Sequence, residues 1–256
     1  IREYAEDWTV LRLPALSEGD GDPLGRPAGE ALWPERYSRK SLLDTKRAIG
    51  SRAFEALYQG NPTASEGNIL KRSWWQYYHM YPSDMGEHVS RLIQSWDFTF
   101  KNTDQSDYVV GQVWGKKGAD SYLLDQVRDR MDLGESMRAM QAMTVKWPKA
   151  TAKIVEDKAN GPAIISTLRR QIPGIIPYNP EGNKKSRAYA VAPYIEAGNV
   201  HLPIPMYAKW IDVYLDELAS FDAGAHDDQV DATTQALLYL YGKGPLARFV
   251  ERPIGL

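Results

Sequence analysis

The chain has 256 residues, 43% of them hydrophobic, which suffices for one large domain or for one domain and a smaller fragment. Its formal net charge of −2 provides no overall attraction for nucleic acid, so any DNA binding must come from a local basic patch. Cysteine is absent, which excludes disulfides and zinc–thiolate sites, and no apolar run approaches the roughly 20 residues of a membrane span. We therefore expect no membrane association, and the first residue, Ile1, suggests a part of a longer protein.

Residues 1 to 70 contain few apolar side chains, so we expect this region to form no hydrophobic core of its own. The expected elements are a strand at Trp8–Leu13, a loop at Ser17–Gly29 and helices at Ser38–Ile49 and Arg52–Gln59. We interpret this region as the end of a preceding domain.

From Leu92 onward, apolar residues alternate first with the period of strands and later with the period of helices. The predicted strands are Leu92–Phe100, Tyr108–Trp114, Ser121–Val127, Ala152–Val155 and Gly174–Tyr178. The predicted helices are Leu133–Val145, Pro162–Gln171, Ser186–Ala197, Met206–Ser220 and Asp227–Tyr241. A β-meander followed by β/α alternation predicts an α/β fold, in which helices flank a mixed sheet. A phosphate-binding G-x-x-x-x-G-K-[ST] loop is absent from the sequence, so this chain alone should not hydrolyse ATP.

Acidic residues stand at three separate edges of apolar elements. Asp97 lies within the first strand of this region, where aspartate is disfavoured unless the strand face is solvated or functional. Glu156 and Asp157 end a later strand, and alternation of side chains lets only one of them face Asp97. Either could instead cap the next helix, and we favour Asp157 as the functional one.

The third acidic group begins the last predicted helix, with Asp227, Asp228 and Asp231. Acidic residues in a first turn ordinarily stabilise the helix dipole, but two further acidic sites upstream favour a metal site. His226 could be a further ligand, a proton carrier or a structural residue. Several converging carboxylates must share protons or hold a hard divalent cation. Two Mg²⁺ or Mn²⁺ ions roughly 4 Å apart would suit phosphodiester hydrolysis, with Asp97 as the bridging ligand.

Three segments resemble the nuclease domain of the large terminase subunit of tailed bacteriophages, which is ribonuclease H-like. They are Ser95–Asp97, Val155–Gly161 and the pattern His226-Asp227-Asp228-x-x-Asp231-Ala232. Upstream, Trp33–Arg36 and Phe54–Pro62 are similar to the segment that joins the packaging ATPase to the nuclease. The resemblance implies an ATPase remnant and linker at residues 1–70, the nuclease domain at 71–245 and a tail at 246–256.

The resemblance also implies an activity, that of an endonuclease that cuts concatemeric viral DNA during genome packaging in the host cytoplasm. Its partners would be double-stranded DNA, the portal of the procapsid and the small terminase subunit. The implied catalytic residues are Asp97, Asp157 and Asp228, and the implied metal ligands are Asp97, Glu156, Asp157, Asp227, Asp228 and Asp231.

Basic side chains near the acidic segments could neutralise DNA phosphates without reading bases. The candidates are Lys184, Lys185 and Arg187, together with Arg169 and Arg170 at the end of the preceding helix. Lys158 could touch the scissile phosphate or form a salt bridge with the adjacent acids. Two alternatives to the terminase nuclease remain open: another ribonuclease H-like nuclease, such as a resolvase or transposase, and a non-catalytic module that binds DNA or couples a motor.

Overall fold

The computed structural model describes residues 11–19, 21–61, 69–98, 108–157, 161–224 and 226–242, with the backbone alone for 161–164. The chain divides into two compact units, residues 1–66 and residues 67–256. No helix within these described ranges is long and apolar enough to cross a membrane.

In its described part, the first unit contains two short helices, α1 (Arg39–Ile49) and α2 (Ser51–Leu57). Ser38 caps α1 by accepting a hydrogen bond from the backbone N–H of Ser41. Contrary to the expectation from composition, this unit has a small core, formed by Ala31, Leu42 and Phe54. The predicted strand at Trp8–Leu13 is wrong for its described part, residues 11–13, while Trp8–Val10 lie outside the described residues.

The second unit contains seven strands and six α-helices among its described residues. Its strands are β1 (Gln76–Tyr78), β2 (Arg91–Asp97), β3 (Val109–Lys117), β4 (Asp120–Asp129), β5 (Ala152–Glu156), β6 (Ile175–Tyr178) and β7 (Val200–Pro203). Its helices are α3 (Pro82–His88), α4 (Leu133–Lys146), α5 (Gly161–Gln171), α6 (Lys184–Glu196), α7 (Ile211–Ser220) and α8 (Asp228–Leu240). A 3-10 turn at Arg72–Trp74 precedes β1.

All seven strands form one sheet in the order β1-β7-β4-β3-β2-β5-β6. The meander β2–β3–β4 is antiparallel, whereas β5, β6, β7 and β1 pair in parallel with their neighbours. The predicted α/β fold, a mixed sheet with flanking helices, is therefore confirmed, and it agrees with a ribonuclease H-like arrangement.

Alternating side chains of the central strands build a core on each face of the sheet. Ile93 of β2 and Ile154 of β5 pack with apolar residues of α6, α7 and α8 on one face. Trp96 and Val155 pack with α4 and α5 on the other. Ser95 and Asp97 have the same parity as Ile93, so they point towards the face that α8 covers.

Three local predictions differ from the structure. The helix expected at Met206–Ser220 begins only at Ile211, because residues 205–210 form successive turns, with Tyr207 N–H bonded to Ile204 O. The strands β1 and β7 were not predicted because three or four residues are too short for a recognisable alternation. Helix α3 was also missed, and it has only seven residues.

Candidate metal centre

Two parallel strands bring acidic residues to the same edge of the sheet. In the register of β2 with β5, Ser95 lies beside Ile154 and Trp96 beside Val155. One further residue along, the register brings Asp97 next to Glu156. Because neighbours across strands point to the same face, Glu156 rather than Asp157 faces Asp97. The register therefore favours Glu156 as the functional residue, whereas the sequence had favoured Asp157.

Helix α8 is held over the ends of these two strands by buried polar contacts. Ser95 Oγ donates to the carbonyl of Ala232 at 2.7 Å. The Nε2 group of Gln235, whose residue is 4% exposed, lies 2.9 Å from Ser95 Oγ, 3.3 Å from Trp96 O and 3.2 Å from Ile154 O. These contacts join α8 to β2 at the residue before Asp97 and to β5 two residues before Glu156.

The first turn of α8 carries Asp228 and Asp231, both of them buried. They share one face of the helix with Gln235, because positions three, four and seven apart lie together. Gln235 binds the strands, so the two aspartates are directed at the same sheet edge as Asp97. We call Asp97, Glu156, Asp228 and Asp231 the acidic cluster.

Electrostatics show that the four carboxylates converge. The pKa of Asp97, which is 8% exposed, is raised well above its usual 3.8, first by burial and then by Asp231, Glu156 and Asp228. Both causes disfavour the ionised form. Ionisation of Asp97 is therefore opposed both by its burial and by the negative charge of the three neighbouring carboxylates.

Two basic residues of α6 partly offset this charge. Lys184 Nζ lies 2.6 Å from Asp227 Oδ1 and 2.7 Å from Asp231 Oδ2. Arg187 Nη2 lies 2.5 Å from the other oxygen of Asp231, Oδ1. Burial would lower the pKa of Lys184, but Asp231 and Asp227 outweigh burial and raise it above its usual value.

The remaining acidic and histidine candidates surround the acidic cluster. Asp157 donates its backbone N–H to Tyr178 O at 2.7 Å, and its Oδ1 is buried without a hydrogen-bond partner among the described residues. His226 packs edge-on against the ring of Tyr108, with 5.1 Å between ring centroids, and its buried Nδ1 likewise finds no partner in the described part. Asp228 Oδ2 accepts from Tyr108 N–H at 3.2 Å. Lys158 lies outside the described residues.

The donor set suits a hard divalent cation, because it consists of carboxylate oxygens with one imidazole nearby. The buried Oδ1 of Asp157 is a further oxygen that could coordinate a cation, because it accepts no hydrogen bond from the described residues. No three Asp, Glu or His side chains in the described ranges are already arranged around a common ion position. Each oxygen of Asp231 has a basic partner.

The basic candidates occupy two different environments. Lys184 and Arg187 face the acidic cluster, and Arg187 is only 4% exposed. Lys185 Nζ lies 2.7 Å from Asp222 Oδ2 at the surface. Arg169 and Arg170 are exposed in the last turn of α5.

The sequence reasoning missed the residues that position the acids. Gln235 and Ser95 were not candidates, although the spacing of Asp228, Asp231 and Gln235 places all three on one helix face. The pairing of Lys184 and Arg187 with Asp231 had no signal in the sequence, since α6 and α8 are distant along the chain.

Comparison with known proteins identifies the family. Residues 94–240, more than half of the chain, match the family model described as the terminase RNaseH-like domain. The comparison with curated proteins gives no match. Among solved structures, the large terminase of the thermophilic bacteriophage D6E is similar with a TM-score of 0.57 at 14% identity, over 80% of this chain and 54% of that one.

The large terminase nuclease of the thermophilic phage G20c is similar with a TM-score of 0.49 at 18% identity, over 67% of this chain and 97% of that one. The same nuclease with bound magnesium gives a TM-score of 0.48 at 17% identity, over 68% and 98%. The chain spans about half of the length of the D6E large terminase. On the strength of the family match, the chain belongs to the terminase RNaseH-like domain family.

Proposed function

We propose that the chain is a metal-dependent endodeoxyribonuclease that cuts concatemeric viral DNA during genome packaging. The observation that carries the proposal is the acidic cluster, in which β2, β5 and α8 direct four carboxylates at one sheet edge with Asp97 buried at its centre. Such a concentration of carboxylates is electrostatically unfavourable, and a bound cation would offset the repulsion.

Asp97, Glu156 and Asp228 are the proposed principal metal ligands. Asp157, Asp227 and Asp231 are proposed as supporting acids, and His226 as an accessory group at the edge of the site. Two divalent ions, Mg²⁺ or Mn²⁺, would supply stabilisation of the negative charge that develops on the attacking and leaving oxygens of the phosphodiester. The chain's own contribution is to hold Asp97 and Glu156 on adjacent strands, fixed to α8 through Gln235.

DNA would be held by basic residues around the acidic cluster. The exposed Arg169 and Arg170 are proposed phosphate contacts, with Lys185 as a further one at the start of α6. Lys184 and Arg187 are proposed to act next to the scissile phosphate, since they already lie among the acids. By family membership, the proposed partners are the portal of the procapsid and the small terminase subunit, and the proposed place of action is the host cytoplasm.

Plasmid cleavage tests the activity. Supercoiled plasmid is incubated with the purified chain and Mn²⁺ or Mg²⁺, with and without EDTA. The substitution Asp97→Asn should abolish cleavage, whereas Asp212→Asn, in an exposed pair with Arg72, should cleave like the wild type. Cleavage in EDTA, or undiminished cleavage by Asp97→Asn, would refute the proposed chemistry. DNA binding without cleavage under either metal would instead favour a non-catalytic DNA-binding module.

A salt titration tests the DNA contacts. Replacing both Arg169 and Arg170 with Ala should weaken DNA binding and reduce the slope of log K against log salt by roughly 2, because each lost phosphate contact contributes about 0.9. An unchanged slope would remove this pair from the proposed DNA-binding surface.

A further inference from the structure

Lys184 occupies an unusual position for a surface lysine. It is the first residue of α6, and the Asn183 side chain fixes the start of this helix by accepting from Ser186 N–H at 2.8 Å. From there its ammonium group reaches two aspartates of another helix terminus, at 2.6 Å from Asp227 and 2.7 Å from Asp231. Its charge also acts on Asp97, whose pKa it lowers against the larger effects that raise it.

The ammonium group and a metal ion would require the same oxygens. Asp231 is 5% exposed, and its two oxygens are engaged separately, Oδ1 by Arg187 and Oδ2 by Lys184. An oxygen that accepts a short charge-assisted hydrogen bond has one of its two lone pairs directed at the donor, and the donor's positive charge repels a cation from the other lone pair. A divalent ion drawn to this end of the acidic cluster must therefore compete with Lys184.

Arg187 does not have the same role. Its guanidinium is buried together with the carboxylate of Asp231 and is held within the α6–α8 contact. The side chain of Lys184 is 43% exposed, so its ammonium group can leave the aspartates for solvent without unpacking the core. Lysine also has a flexible stem and a compact charge, which makes such an exchange inexpensive.

We propose that Lys184 is an internal counter-ion that competes with divalent metal for Asp231 and Asp227 and is displaced when metal binds. The inference rests on the proposed metal-dependent function and adds a residue that sets the metal affinity. In the metal-free protein Lys184 stabilises the first turn of α8, and in the metal-loaded protein its ammonium group is exposed beside the cleavage site.

Calorimetry of Mn²⁺ binding, without DNA, tests the competition. Lys184→Met removes the competing charge and keeps the apolar stem, so it should bind Mn²⁺ at least about tenfold more tightly than the wild type, as expected for losing a cation next to the ligands. Lys185→Met is the matched control, because it removes the same charge one residue away, from a pair with Asp222. It should change the affinity less than about threefold.

A labelling experiment on the wild-type chain makes the test independent of the folding of any variant. The rate at which acetic anhydride modifies each lysine is followed by peptide mass spectrometry with and without Mn²⁺. Mn²⁺ should accelerate modification of Lys184 several-fold and leave that of Lys185 unchanged. Slower or equal modification of Lys184 would overturn the inference.

The outcomes separate this inference from the proposed function. If the wild type binds Mn²⁺ and Lys184→Met binds it equally or more weakly, Lys184 is not a competitor, and the proposed metal centre stands. If neither protein binds Mn²⁺, the proposed metal centre itself fails. Tight binding by Lys184→Met alone would support the competition strongly.

Discussion

Gln235 gives the sharpest test of how the fold holds the acidic cluster together. Its side-chain amide has two protons, which it directs at three oxygens: one on Ser95, one on Trp96 and one on Ile154. Gln235→Leu keeps the approximate volume and removes two buried hydrogen bonds. At roughly 1 to 1.5 kcal/mol for each bond, the free energy of unfolding should fall by about 2 to 3 kcal/mol. For a unit of this size the midpoint of thermal unfolding should fall by roughly 4 to 10 °C.

The assay is denaturant unfolding in EDTA, with Gln141→Leu as the matched control. Gln141 makes a single exposed hydrogen bond to Gln171, so its loss should change stability by less than about 0.5 kcal/mol. Metal affinity should also fall in Gln235→Leu, because the backbone that Gln235 holds lies one residue before Asp97 and two residues before Glu156. Equal stability of the two variants would refute the reasoning that Gln235 joins α8 to both strands.

Three further substitutions test charge and packing. Asp97→Asn should increase the free energy of unfolding in EDTA at neutral pH by about 1 kcal/mol or more, because the raised pKa of Asp97 makes its ionisation unfavourable in the folded protein and Asn does not ionise. The pKa of Asp97 is higher in the folded than in the unfolded protein, so its stabilising contribution is complete below pH 3.8 and is lost as the pH rises through the folded-state pKa. The advantage of Asp97→Asn should therefore grow with pH over that range, and an advantage independent of pH would contradict this. Arg187→Met leaves Asp231 buried without its guanidinium and should cost about 3 to 5 kcal/mol, against at most about 1 kcal/mol for Lys185→Met in urea unfolding. Gly111→Ala would place a methyl group 2.5 Å from the Trp96 ring and should cost about 1 to 3 kcal/mol. In Gly134→Ala the added methyl group would lie 3.3 Å from Asp132 Oδ1, so this control should cost less than Gly111→Ala in calorimetric melting, because the helix preference of Ala offsets the closer contact.

The sequence was sufficient for the fold class because the long central strands follow simple rules. β2, β3 and β4 extend over seven to ten residues, which is long enough for a strand pattern to be recognised in the sequence. The short strands β1 and β7 are stabilised by pairing of β1 with β7 and of β7 with β4, which no local pattern encodes. The start of α7 was misplaced for a similar reason, since turns at 205–210 replace the first part of an apparently regular helical pattern.

Within the site, local patterns located the acids but did not fix their partners. The candidates Asp97, Glu156 and Asp228 follow from the ends of elements, and the choice between Glu156 and Asp157 required the register of β2 with β5. Which side chains of two neighbouring strands share a face depends on the register in which the strands pair, and this register is set by the tertiary structure. Likewise, Lys184 was read from the sequence as a DNA contact, and its two aspartate partners became visible only with α6 beside α8.

The acidic cluster illustrates how a fold can tolerate carboxylates that converge before any metal is bound. Three features offset the repulsion: the amino-terminal end of α8, which favours negative charge in its first turn; the two basic residues of α6; and the raised pKa of Asp97. Arg187 is buried and remains part of the helix contact, whereas Lys184 is half-exposed and Asp97 can change its protonation. Arg187 therefore offsets the negative charge permanently, whereas Lys184 and Asp97 offset it in ways that can be reversed. Consequently, the substitution of Arg187 should lower the free energy of unfolding more than that of Lys184 does. The substitution of Lys184 should change the metal affinity more than that of Arg187 does.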